Sequence, residues 1–435
     1  MNARAIAFVG ARLIDPQSGY DGPGALVAAE GRIAEVIHGG GAPGAMSSDV
    51  RVVDCGGALL CPGLVDLRVK TGEPGAEPKE TLESAARAAA AGGVTTIVVQ
   101  PDTDPVVDDP SVVDFILRRA RDIGLVHVYP AGAATKGLEG KAMAEIGLMR
   151  DAGCVYVTDA DTPIVDSRVM RRLLAYASGL GVLVAHRPAD PWLMDGTTAT
   201  EGEFASRLGL VAGPAAAETI MLERDIALVG LTGAPLLVDQ VSAAAALASL
   251  ARAKAAGLPI LATASINHLS FNELDIGDYR TFCKLIPPLR SEDDRVALVE
   301  ALASGLIDMV VSAHAPAPPE DKRLPFDEAA PGSVGLETLL PALLTLHHER
   351  AVSLIRLIDA VTLAPARAIG LKAGRLAVGA PADLVLCDIA APRLIDAAAL
   401  VSRSRNSAFD GRRLQGEVRM TLVDGRVVHE AAGLG

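Results

Sequence analysis

Between residues 63 and 349 the spacing of apolar positions alternates between about two and about 3.6 residues, as strands and amphipathic helices do in turn. The expected order is strand 63–66, helix 79–92, strand 94–99, helix 111–123, strand 126–130, helix 139–151 and strand 154–158. It continues as helix 167–179, strand 181–185, helix 215–229, strand 235–239, helix 242–256, strand 258–262, helix 293–304, strand 307–311 and helix 335–349. Strands joined by helical crossovers pair in parallel, and about eight such units in roughly 300 residues predict a closed barrel rather than an open sheet. The ends have another texture. Short β-like runs at 5–9, 25–28, 32–37 and 52–53 are split by Gly, Pro and Asp turns, and similar runs return at 383–387, 416–423 and 426–429. Asp424-Gly425 is a hairpin turn, so both termini are expected to pair into one side sheet.

Composition narrows the class. Of 435 residues, 50% are hydrophobic and only 3% aromatic, which suits a helix-rich interior packed with small side chains and excludes a disordered chain. A net charge of −13 leaves no excess of cations to neutralise phosphates, so nucleic acid is not an expected partner. No apolar run reaches the roughly 18 residues of a membrane span and no signal segment is evident, so a cytoplasmic location is expected. The five cysteines are widely spaced and read as buried thiols rather than a disulfide framework or a zinc knuckle.

Several segments in series resemble the dihydroorotase branch of the amidohydrolases. They are Pro62 to Asp66, the run from Glu73 to Pro105 containing Gly92-Gly93-Val94-Thr95-Thr96, and Gly213 to Glu218. Further on come Asp275 to Tyr279, Pro287 to Glu292, Pro325 to Glu328, Gly335 to Thr338 and Ser402 to Asn406. The resemblance implies a (β/α)8 TIM-like barrel over residues 61–369, with a side β-sandwich built from residues 1–60 and 370–435. It also implies a metal-bound hydroxide as nucleophile, held by imidazole and carboxylate ligands.

At the positions where the family carries those ligands, this chain differs. The His-x-His pair is Arg68 and Lys70, cations with no lone pair to offer. A third histidine position is Gln240, and the aspartate that serves as ligand and general base is Ala313, followed by His314. His186 and Asp159 persist and are the weak alternative for a zinc ion. The arginine and asparagines that hold a substrate carboxylate are Gly72, Asp102 and Ile286. Arg68 and Lys70 are expected to form ion pairs, with Asp66, Asp102 or Asp159 as partners, because buried cations need them. His268 and His314 read as structural hydrogen-bonders. His347 and His348 point about 100° apart on a helix and form no ligand pair. The loop from Ala315 to Pro331 reads as the remnant of a lid.

The expectation from these residues is a non-catalytic protein without a cofactor, acting as a homo-oligomeric structural partner of aspartate carbamoyltransferase, as the resemblance implies. The rival expectations are a cyclic amidohydrolase with a remodelled one-metal or metal-free site, and a small-anion binding module at the Arg68 and Lys70 mouth.

Overall fold

The structure, a computed structural model, describes residues 5–41 and 50–432. Its parallel strands fall into two groups. Leu64–Val69, Val94–Val99 and His127–Pro130 pair in that order. Gly132–Ala133, Tyr156–Thr158, Leu183–His186, Leu236–Val238, Ile260–Ser265 and Met309–Val311 form the second, six-stranded set. The expected closed ring is therefore corrected to two sheets facing a common interior. Near Met309–Val311 the seam is bridged by a single Val69–His314 pairing and by Lys70 N–H donating to the His314 carbonyl at 2.8 Å. Strands of two or three residues, such as Gly132–Ala133 and Met309–Val311, are too short to carry a continuous ladder around.

Inward positions alternate as a strand requires, so Val65, Leu67, Val98, Tyr156, Leu183, Leu237, Met309 and Val311 fill one core between the strands. The register shifts between Asp66 and Val69, and such an irregularity re-aims side chains at a strand end. Helices pack on the outer faces. Their starts are set by side-chain caps from Thr81, Asp109, Asp166 and Ser291 onto early backbone N–H groups. The helix expected over 139–151 occupies only Ile146–Ala152, because Gly140 adopts φ 68° and the chain ahead of it makes a short 3-10 turn at Lys136–Leu138.

The termini build one eight-stranded sheet rather than a sandwich. Its order runs Arg426–Glu430, Arg413–Val423, Leu384–Leu394, Leu59–Pro62, Ala5–Asp15, Tyr20–Ala29 and Arg32–His38, with Val50–Asp54 added beside Ala5–Asp15. The two ends meet edge to edge where Leu59 to Pro62 pairs antiparallel with Leu384 to Cys387, so their hydrogen bonds merge into a single ladder. Phe8, Leu13, Leu26, Ile33, Leu386 and Met420 supply a separate core for this sheet. All five cysteines are buried and free.

Candidate active site

At the C-terminal ends of the parallel strands lies a pocket of about 210 Å³, where ligands bind in folds of this kind. Arg68, Lys70, Asp102, Gln240, Ile286, Ala313 and His314 line it, so seven of the ten sequence-derived positions converge there. Gln240 and Ala313 take left-handed backbone, with φ of 56° and 51°. Such strain costs about 1–2 kcal/mol per residue and collects at functional sites.

Arg68 is buried at the centre. Its guanidinium donates to Asp161 at 2.6 Å, to Asp239, and through Nε at 2.7 Å to the Gln240 carboxamide oxygen once that amide is oriented to accept. Burial works against the charge, but Asp239 and Asp161 outweigh it and hold the group well above the usual arginine range. Lys70 sits beside it, paired with Asp102 at 2.6 Å and with Asp161. Burial again opposes the charge, while Asp161 and Asp102 raise the ammonium above its ordinary value. Burial alone would push the Asp161 carboxyl up; Lys70, Arg68 and Arg187 instead hold it well below the usual carboxylate range.

The ion pairs thus include Asp102 as expected, whereas Asp66 and Asp159 are placed elsewhere. Asp66 accepts backbone N–H groups of Arg68 and Ser312 at 3.2 Å each, and burial pushes its carboxyl up to about 6. Asp159 accepts from the backbone and hydroxyl of Thr135, the former at 2.8 Å. His186 is likewise committed, with Nδ1 at 2.6 Å from Asp225 and Nε2 accepting Ile164 N–H at 2.9 Å. Gly72 is walled in, since a Cβ there would meet the Ala76 carbonyl oxygen at 1.8 Å. Asp161 and Asp239 were missed in the sequence; their only signal is proximity in the chain to Asp159 and Gln240.

The donor set at this end does not fit a catalytic metal. The lone pair of His186 on Nε2 is taken by Ile164 N–H and its Nδ1–H faces Asp225, Asp159 is tied to Thr135, and the Arg68 guanidinium is held between Asp161 and Asp239. A different cluster offers ligands. His127 Nε2 lies 3.2 Å from Asp383 and 3.9 Å from Asp424, and the three ligand atoms are within 4.8 Å of one another. It sits at the opposite ends of the parallel strands, where His127 begins its strand and meets the loop and hairpin turn of the terminal sheet.

Residues 57–245 match the dihydro-orotase-like family, and residues 344–429 match an amidohydrolase family. The chain is 43% identical over 423 residues to a dihydroorotase of Anaeromyxobacter sp. (strain K), covering 97% of each chain. It is 40% identical to a dihydroorotase of Desulforapulum autotrophicum, covering 98% of this chain and 99% of the other. Among solved structures, an L-hydantoinase (dihydropyrimidinase) from Arthrobacter aurescens superposes with a TM-score of 0.87 at 24% identity, covering 99% of this chain and 97% of that one. A D-hydantoinase (dihydropyrimidinase) from Thermus sp. gives 0.81 at 23%, covering 99% and 96%.

These likenesses correct three expectations. Relatives similar from end to end are named as enzymes, which overturns the reading of a non-catalytic protein and of a pseudoenzyme. The expectation of no cofactor is overturned by the same family likeness together with the His127, Asp383 and Asp424 cluster. Replacement of the ligand and base positions at the pocket by Arg68, Lys70, Gln240 and Ala313 does not by itself remove chemistry and metal from the molecule. Among the described residues no helix is long and apolar enough to cross a membrane.

Proposed function

From the premise that this chain belongs to the dihydroorotase-like amidohydrolases, we propose that it is a cyclic amidohydrolase, opening or closing a cyclic amide ring in the strand-end pocket. The observation that carries the reading is likeness to named dihydroorotases along nearly the whole chain, with the pocket lying where such folds place their chemistry. The site is remodelled. Lys70 is a fixed cation at the pocket wall, held by Asp102 and Asp161, and it is the group suited to binding a ring carbonyl or a substrate carboxylate. Arg68 beside it also holds Asp161 and is paired in turn with Asp239. His268, which also lines the pocket, is held neutral at ordinary pH, because burial and the nearby Arg290 lower its imidazole to about 4, so it adds no charge there. No step is routed through a metal here.

The test is a panel of cyclic amides, namely dihydroorotate, dihydrouracil and hydantoin, incubated with purified protein with and without added zinc and assayed chromatographically for ring opening. We expect turnover of at least one ring, reduced about tenfold or more in kcat/KM by Lys70→Met. No turnover of any ring under either condition would reject the reading. The resemblance also supports assembly with itself and with aspartate carbamoyltransferase as the setting in which the enzyme acts.

A further inference from the structure

The cluster at the other ends of the parallel strands joins three distant segments. His127 opens the strand His127–Pro130, Asp383 stands just ahead of the strand Leu384–Leu394, and Asp424 lies in the turn between Arg413–Val423 and Arg426–Glu430. Asp383 is 7% exposed. Its Oδ1 accepts the Asp424 N–H at 2.8 Å, which leaves Oδ2 facing His127 Nε2 at 3.2 Å. The Asp424 carboxylate approaches the same nitrogen to 3.9 Å. Among the described residues, neither carboxylate has a lysine or arginine within ion-pair distance.

A buried carboxylate with a second one beside it calls for a cation, either the protonated imidazole or a metal ion. The imidazolium serves only half of the need, because 3.9 Å is beyond hydrogen-bond reach of Asp424. An ion serves all three groups. Ligand atoms each about 2.1 Å from one tetrahedral ion stand about 3.4 Å apart. The separations of 3.2 and 3.9 Å bracket that spacing, and all three ligand atoms lie within 4.8 Å of one another. His127 and Asp424 also line a cavity of about 310 Å³, so an ion has a way in from solvent. The arginines of that cavity leave the cluster free: Arg426 donates to the Gly124 carbonyl at 3.3 Å, and neither it nor Arg121 pairs with the two carboxylates.

We propose that His127, Asp383 and Asp424 form a structural site for a first-row divalent ion such as zinc, which ties the strand His127–Pro130 to the hairpin turn of the terminal sheet. One imidazole with two carboxylates suits zinc, whereas magnesium and calcium take oxygen ligands. Water completes the coordination, since the Asp424 side chain is 52% exposed. The strand-end pocket lies at the far ends of the same strands, so this ion supplies no nucleophile there and acts on stability alone. The proposal is independent of the ring-opening reading.

The experiment is calorimetric titration of the chelator-treated full chain with zinc and, separately, with magnesium at about pH 8, where a neutral imidazole is available, followed by thermal unfolding with each ion. About one zinc ion per chain should bind, and zinc at about a hundredfold above its Kd should raise the unfolding midpoint by about 3 °C or more. Magnesium should bind about a hundredfold more weakly. Asp424→Asn is the decisive variant, because asparagine keeps the left-handed turn that φ of 47° requires while giving up the carboxylate charge. It should weaken zinc binding about tenfold or more and remove most of the thermal shift. Absence of zinc binding, magnesium binding as tight as zinc, or affinity and thermal shift unchanged in Asp424→Asn would each overturn the proposal and leave His127 as an imidazolium partner of Asp383 only. None of these readouts depends on turnover, so failure here leaves the ring-opening reading standing.

Discussion

A Cβ at Gly72 would stand 1.8 Å from the Ala76 carbonyl oxygen and 3.0 Å from that of Glu80, so the backbone has closed over the space a larger side chain would need. Restoring an arginine there is not a restoration. Gly72→Arg should destabilise the protein by about 3 kcal/mol or more through overpacking and should not improve binding of a carboxylate, as thermal unfolding and titration with dihydroorotate would show. Arg68 makes the complementary case. Truncating it leaves Asp239 buried without its cation, while Asp161 keeps Lys70, so Arg68→Met should cost about 3–5 kcal/mol, and the additional change Asp239→Asn should recover part of it. A double-mutant cycle in denaturant measures both. At this scale the sequence was legible where a single residue type carries the meaning, as for Arg68, Lys70 and Gln240. It was opaque where meaning depends on who stands opposite. Asp161 and Asp239 are ordinary acidic residues in the chain, and only the convergence of separate strand ends makes them partners of one guanidinium.

Elements were read well where local chemistry fixes them. Asp166 caps a helix that spans Ser167–Gly179, the expected range, whereas Gly140 ends the expected helix over 139–151 before it starts. Pairing between elements was less accessible, and the junction of the strand His127–Pro130 with the Asp424 turn shows why. Its three chemical residues come from three distant segments, each with a local reason of its own: Asp424 belongs to a hairpin turn, and Asp383 accepts the Asp424 N–H at 2.8 Å. The hydrogen bond that its Nε2–H donates to Asp383 raises the His127 imidazole above its ordinary value, against the opposing effect of burial. A histidine whose folded value is raised contributes its stability fully below the unfolded value and loses it as pH rises through the folded one. The melting-temperature gap between the wild type and His127→Gln should therefore be widest in mildly acidic buffer and should shrink toward alkaline pH. A metal reverses the trend, since only the neutral imidazole ligates. Chelator-treated protein should bind zinc more tightly as pH rises, and His127→Ala should abolish that binding in calorimetric titration. Zinc binding undiminished in this variant would place the ion elsewhere.

For the molecule as a whole, the terminal sheet has a core of its own on one face, while Ile14, Leu59, Val385 and Val418 pack into the large core shared with the parallel strands and helices, and the Leu59–Pro62 strand pairs with segments from both ends of the chain. Assembly beyond one chain is a matter of surface, and surface was the least legible level in the sequence, because an apolar residue does not announce whether the fold covers it. Trp192, the single tryptophan, is 72% exposed, and Leu193 beside it is also exposed. An exposed indole is a costly residue to leave in water and a sensitive reporter of whatever covers it. If the proposed assembly with aspartate carbamoyltransferase forms, mixing the two native proteins at micromolar concentration should give one species in size exclusion with light scattering, heavier than either alone. A blue shift of Trp192 emission on mixing, against a Trp192→Phe control that subtracts the partner's own tryptophans, would place this face within or beside the contact. Co-elution without such a shift moves the contact to another surface, whereas separate elution over a range of salt concentrations removes the assembly and leaves the enzyme to act without that partner.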